Sequence, residues 1–179
     1  MMKSEEKRIR EIQNGNKKLF AGIVKKYTGM VFKLIWDLTS NIEDTKDLTQ
    51  ETFSRAFINI NSFQFKSGFS TWLYKIAYNC TMDFLRKNAR ISTGLEENNF
   101  QSTGNSPDYD SERKTKSLNA ALSTLPEKQK IAVVLHFYHQ ISLKEVGEIL
   151  GCSHSTARVH LFRGLKKLRQ ELSNKDTQR

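Results

Sequence analysis

Along the first forty residues, apolar positions recur at spacings of three and four. Ile9, Ile12, Leu19, Phe20, Ile23, Val24, Tyr27, Met30, Val31, Leu34, Ile35 and Leu38 follow this rhythm, which is the period of a helix with one buried face. Asn14-Gly15-Asn16 interrupts it with turn residues, and Ser40-Asn41 ends it. A third helix is expected next, with Asp44 as its N-cap and Leu48, Phe53, Ala56, Phe57 and Ile60 on its buried side. Beyond a loop around NSFQFKSGFS, a fourth helix is expected from about Thr71 to Lys87. It would pack Leu73, Ile76, Ala77, Cys80, Phe84 and Leu85.

The pattern then stops. Residues 88–116 are rich in Ser, Thr, Asn, Asp and Glu, with isolated apolar positions and no period. Such a composition cannot bury a core and reads as a flexible linker. Helical spacing resumes at Leu118, Leu122 and Leu125 and reaches Pro126, a residue suited to a first helical turn. The helix it opens carries Ile131, Val134 and Leu135 inward. Ser142 with Glu145 three residues later forms a capping-box pattern, and Gly151 stands where that helix should close. The expected fold is all-α. Two small helical domains, residues 1–87 and 117–179, flank the linker.

The last helix is two-faced. Within GCSHSTARVHLFRGLKKLRQEL, Ala157, Leu161, Leu165 and Leu168 fall within about 80° of one another on a helical wheel. Arg158, Phe162, Arg163, Lys166, Lys167 and His160 take the remaining arc. A basic arc can be merely solvated, or it can meet a polyanion. The order helix, Gly-containing turn, second helix over residues 142–172 is that of a helix-turn-helix, whose second helix enters the major groove. Arginine presents a planar fork to guanine edges, Lys166 and Lys167 suit phosphates, and Ser153 and Ser155 can donate to phosphate oxygens. An ordinary helical hairpin with a basic outer face is the plainer reading of the same residues.

Charge and composition narrow the choice. Residues 1–87 hold 15 Lys+Arg against 9 Asp+Glu, and residues 117–179 hold 10 against 5, while residues 88–116 hold 4 against 5. Two basic segments separated by a slightly acidic one point to two surfaces that meet a polyanion. The longest apolar run, Ile131 to Leu135, is far too short to span a bilayer. The opening MMKSEEKRIR has no apolar signal core, so a cytoplasmic location with Cys80 and Cys152 reduced is expected. His136, His139, His154 and His160 gather in one lobe near Cys152, yet they show neither an HExxH pattern nor a second cysteine for a zinc site. With no glycine-rich phosphate loop or nucleophile elbow either, no metal, no cofactor and no enzymatic activity are expected.

The two blocks together carry a resemblance. DTKDLTQETFSRAFINI followed by FSTWLYKIAYNCTMDFLRK resembles region two of bacterial sigma factors. LPEKQKIAVVLHFYHQISLKEVGEILGCSHSTARVHLFRGLKKLRQEL resembles region four. Their order, with no region three domain between them, resembles the extracytoplasmic-function group of the sigma-70 family. The resemblance covers about residues 9–87 and 118–172.

That resemblance implies partners and sites. Core RNA polymerase would be held through its β′ clamp by region two and its β flap by region four. Promoter DNA would be read at the −10 and −35 elements, and an anti-sigma factor would regulate the chain. Asp47, Gln50 and Glu51 match the clamp-binding surface, with Phe53, Arg55 and Phe57 nearby. The loop from Phe63 to Phe69 matches the −10 specificity loop: Phe63, Phe65 and Phe69 would wall a base pocket, Gln64, Lys66 and Ser67 would supply donors, and Trp72 takes an aromatic place. Phe69 reads better as an anchor of the loop to the helical core, and Trp72 reads equally well as core packing. Arg158, His160, Phe162 and Arg163 match −35 contact positions.

Two departures stand out. Lys75 and Ile76 occupy the place of the paired tryptophans of primary sigma factors, implying weaker duplex melting and a narrower promoter repertoire. Val159-His160 replaces a frequent Ser-Arg, which leaves the base preference open. The alternative function is a helix-turn-helix repressor or activator that binds duplex operator without core polymerase.

Overall fold

The computed structural model describes residues 4–92, 118 and 120–177. By Cα proximity the chain divides into two compact units, Met1–Asn99 and Phe100–Arg179. No strand occurs among the described residues.

In the first unit, α1 (Ser4–Gln13) leads through Gly15, at φ 106°, and a 3₁₀ turn over Lys17–Leu19 into α2 (Phe20–Thr39). Ser40 ends α2 in the left-handed region, at φ 53°. Asn41 then caps α3 (Ile42–Ile58): its side-chain oxygen accepts from the backbone N–H groups of Glu43 and Asp44. The cap thus stands three residues before the expected Asp44, because Asn41 is the residue with extended backbone. A 3₁₀ turn over Ile60–Ser62 and a short loop follow. The last helix of the unit, α4 (Phe69–Ser92), starts two residues before the expected Thr71 and runs five past Lys87, into the stretch read as linker. The rest of that stretch lies outside the described residues.

The core of this unit gathers Ile9, Ile23, Val31, Leu34, Ile35 and Leu73. It also contains threonine. On α3 the inward residues are Thr45, Leu48, Thr49, Thr52, Phe53 and Ala56, with Phe57 half-buried and Ile60 in the 3₁₀ turn beyond. Five buried threonine hydroxyls are satisfied at the backbone four residues back: Thr39 to Ile35, Thr45 to Asn41, Thr49 to Thr45, Thr52 to Leu48 and Thr81 to Ala77. A threonine bonded in this way offers its methyl to the neighbouring helix without an orphaned polar group.

In the second unit, residues 118 and 120–123 are helical. Pro126 occupies the N-cap of α5 (Glu127–Val133), one place before the first-turn position expected for it. A single wide turn of π-helix, Val134–Tyr138, ends α5. Ser142 and Glu145 complete the expected capping box of α6 (Leu143–Leu150). Gly151 closes α6 at φ 64°, with Cys152 N–H bonded to Gly147 O and Gly151 N–H to Glu148 O. That is a Schellman turn. Ser153 caps the long final helix α7 (His154–Thr177), accepting from Thr156 N–H.

The helix-turn-helix closes on a glycine that periodicity does not mark. A Cβ on Gly147 would lie 2.9 Å from the Cys152 carbonyl oxygen and 3.4 Å from the His154 nitrogen. Those are backbone atoms and cannot swing aside. Gly147→Ala is thus expected to destabilise the second unit by ~1–3 kcal/mol, read as a lowered thermal midpoint. Ala at Gly29, where a Cβ meets nothing within 4 Å, serves as the control and should not show a clash of this kind.

Candidate nucleic-acid interface

The buried stripe of α7 is Ala157, Leu161, Gly164 and Leu168. Gly164 lies so close to α5 that a Cβ there would sit 3.0 Å from Val133 Cγ2 and 3.2 Å from Gln129 O. Leu165, expected in the stripe, is instead 39% exposed. With Gly164 in place of Leu165 the centre of the contact line moves by about 25°, which leaves Leu165 on its flank. Opposite the stripe stand Ser155, Arg158, Val159, Phe162, Arg163 and Lys166, all exposed. Phe162, 70% exposed, is an apolar group in the middle of a basic face, the type of contact that reads a thymine methyl.

Three of the sequence-predicted residues, Ser153, Ser155 and Lys167, make hydrogen bonds within the unit, and a fourth, His160, is half-buried. The Ser153 hydroxyl holds the helix cap and pairs with the Ser155 and Thr156 hydroxyls, each at 2.8 Å. Lys167 is half-buried and turns back to donate to the Thr124 carbonyl at 2.6 Å, just beyond the short helix over 120–123. It is a tether inside the unit rather than an outward cation. His160 sits at the edge of the face, half-buried. Burial, then the charges of Lys128 on α5 and Arg163, hold its pKa below the ordinary histidine value.

In the first unit the aromatic loop is only partly open. Phe63, expected to wall a base pocket, is 5% exposed. Its ring packs on Phe65, Phe69 and Trp72 at 4.7, 5.3 and 5.4 Å between centroids. Phe69 extends the cluster to Tyr27 at 5.5 Å. Phe63, Phe69 and half-buried Trp72 thus make a floor. The partners that bury Phe63 include Phe69 and Trp72 of α4, six and nine residues further on. Above the floor Gln64 and Lys66 are exposed, Ser67 is half-exposed, and Phe65 stands in the left-handed region at φ 57°.

On α3, Asp47, Gln50 and Glu51 all face outward. Glu51 bonds Arg55 at 2.6 Å, and Arg55 also lies 3.7 Å from Asp83 of α4. Phe53, expected on this surface, is 7% exposed and belongs to the core, and Phe57 meets Phe20 edge-on at 5.0 Å. The helical spacing of Phe53 already aligns it with Thr49 and Ala56. Ile58 was not anticipated; it projects from the end of α3 with 76% exposure. Among the described residues no three His, Cys, Asp or Glu side chains gather to hold a metal ion. Nor is any described helix long and apolar enough to cross a membrane.

A helix-turn-helix unit with a basic recognition helix, joined in one chain to a second helical unit with an aromatic loop, defines a DNA-reading regulator of transcription. Comparison gives the family. Residues 23–91 match sigma-70 region 2 and residues 115–168 match sigma-70 region 4. The ECF RNA polymerase sigma factor SigW of Bacillus subtilis is 33% identical over 179 residues, covering 93% of this chain and 95% of that one. Two solved structures share the fold. CnrH in complex with the cytosolic domain of CnrY has a TM-score of 0.71 at 18% identity, over 93% of this chain and 96% of that one. The sigma factor RpoE in complex with the anti-sigma factor NepR from Bartonella quintana has a TM-score of 0.71 at 22% identity, over 86% and 96%. The chain belongs to the sigma-70 family of RNA polymerase sigma factors, in its extracytoplasmic-function group. It acts with core RNA polymerase in promoter-specific initiation.

The different fates of two adjacent lysines can be separated by experiment. Lys167→Ala is expected to cost the second unit about 1 kcal/mol of stability through the lost hydrogen bond, with little change in the salt dependence of DNA binding. Lys166→Ala should do the reverse, leaving the melting curve in place and reducing the slope of log K against log salt by about one.

Proposed function

We propose that this sigma factor docks on the β′ clamp coiled coil through the outward face of α3, opens the −10 element with the loop above the aromatic floor, and reads the −35 element with α7. The observation that carries the reading is the outer face of α7. Arg158, Phe162, Arg163 and Lys166 all point away from a stripe of small and apolar residues in a capped helix-turn-helix. Arg158 and Arg163 supply guanine-reading forks, Phe162 a methyl contact and Lys166 a phosphate contact. Gln64, Lys66 and Phe65 then do the work at a flipped base, while Phe63, Phe69 and Trp72 keep the loop in place.

Residues 1–87 form the clamp-docking and −10 domain, residues 88–116 a linker, and residues 117–179 the −35 and flap-binding domain. The chain works in the cytoplasm as a non-catalytic factor without a cofactor. An anti-sigma protein regulates it by binding; among proteins of this fold, RpoE is found in complex with the anti-sigma factor NepR and CnrH in complex with the cytosolic domain of CnrY. Run-off transcription with purified core polymerase tests the whole reading. The added chain should direct initiation from its own promoter, whereas duplex binding by the chain alone with no effect on polymerase would refute it.

Clamp docking has a narrower test. The double variant Asp47→Ala, Gln50→Ala removes two exposed side chains and should weaken association with core enzyme about tenfold, the scale of a truncated interface contact, at unchanged thermal stability. Equal capture by core enzyme would remove α3 from the interface.

The −35 face should also respond to pH. His160 is held neutral near pH 7 by burial and by Lys128 and Arg163. A DNA phosphate beside it favours the charged ring, so bound DNA raises the histidine pKa and binding takes up a proton. Affinity for a −35 duplex is expected to be flat above about pH 7 and to rise as pH falls below about 6.5. His160→Gln should abolish that rise.

A further inference from the structure

Nothing in the promoter-reading scheme gives α1 a role, yet α1 holds the aromatic loop at two points. Gln13, the last residue of α1, is half-buried and directs one amide nitrogen at two carbonyls 47 and 50 residues further on. Its Nε2 donates to Ile60 O and to Phe63 O, both at 2.9 Å. One turn earlier, the Arg10 guanidinium lies over the Phe65 ring, 4.3 Å from its centroid. Arg10 is itself held by Glu6 at 3.0 Å.

Between these grips the loop is strained. Phe65 has φ 57°, a conformation that a bulky residue adopts only when its surroundings impose it. The surroundings are the Phe63 ring on one side, the Arg10 fork over the ring, and the anchored Phe63 carbonyl two residues back. The other end of α1 is fastened too. Glu5 accepts from Lys26 and from the Tyr27 hydroxyl on α2, and Tyr27 packs on Phe69 at the far side of the aromatic floor. Although partial burial alone would raise it, the bonds from Lys26 and Tyr27 hold the Glu5 carboxyl below the usual carboxylate range, so this anchor stays charged at neutral pH.

From this geometry we infer that α1 is a positioning element for −10 recognition: Gln13 and Arg10 hold the Phe63–Phe69 loop in the strained shape that presents Phe65, Gln64 and Lys66 to an unstacked base. Neither residue needs to touch DNA. Gln13 fixes where the loop leaves the 3₁₀ turn, and Arg10 fixes the plane of the ring. The inference rests on the proposed role of the loop at the −10 element, and the experiment has to separate the two.

Holoenzyme reconstituted from core polymerase and full-length variants supplies that separation. The readout is the rate of open-complex formation on a parent promoter and on promoters with single substitutions at −10 or at −35. Gln13→Met keeps the shape of the side chain and removes both donors. It is expected to reduce discrimination at −10 about tenfold, in line with the loss of two net hydrogen bonds, and to leave discrimination at −35 and core binding unchanged. Arg10→Gln, at an exposed position that tolerates change, is expected to reduce −10 discrimination roughly threefold, and it decides the matter if Gln13→Met fails to fold. A merely structural role would lower thermal stability and slow every promoter alike, and that outcome overturns the inference. Lys66→Ala and Gln64→Ala in the same series test the loop itself. If they relax −10 discrimination while the α1 variants do not, the loop reads the element and α1 does not position it. If neither set changes it, the loop assignment fails and the inference fails with it.

Discussion

Close approach of helix backbones is the constraint on which both units depend. A helix that must show a polar or basic face to a partner has only a narrow arc left with which to hold itself down. Small inward residues let that arc come near its neighbours. On α7 these are Ala157 and Gly164, the latter with a neighbouring side-chain carbon only 3.0 Å from where a Cβ would be. On α3 they are Thr45, Thr49, Thr52 and Ala56. Dispersion falls off steeply with distance, so a shallow stripe in tight contact can replace a broad apolar face. The outward arcs are then free for Asp47 and Gln50 on α3 and for Arg158, Phe162 and Arg163 on α7.

The same constraint decides what could be read from the residues in order. Helix periods, the capping box of Ser142 and Glu145 and the closing Gly151 depend on neighbours within five positions, and all three appear in the structure as expected. What was not legible depends on a partner from elsewhere in the chain. Phe63 looks free in the sequence because its burial comes from Phe69 and Trp72. Lys167 looks like one more cation on a basic face, and only the fold brings it to the Thr124 carbonyl. Leu165 looks like stripe because leucine outweighs glycine in any count of apolar residues, whereas Gly164 sets the line of contact by being small.

Threonine misleads for a related reason. In α3 it counts as polar, which hides half of the buried face. Its hydroxyl is in fact spent within its own helix, on the carbonyl four residues earlier, so that its neighbours meet a methyl group. A reading that scored buried threonine as apolar at positions 45, 49 and 52 would have joined them to Leu48, Phe53 and Ala56 as one buried face, with Asp47, Gln50 and Glu51 opposite it. The candidate site on α3 was visible in DLTQE, and its depth was not.

The Lys167 tether has a mechanical consequence. The chain enters the second unit through the short helix over residues 120–123, and the carbonyl just beyond it is held by a side chain of the recognition helix. Tension applied upstream of that point is therefore delivered to the fourth turn of α7 as well as to the local backbone. A lysine side chain has four flexible carbons, so the link acts as a spring with some slack rather than as a rigid strut. The short helix over residues 120–123 and the DNA-reading helix are in this way parts of one load path, and a pull on the first is felt as torque by the second.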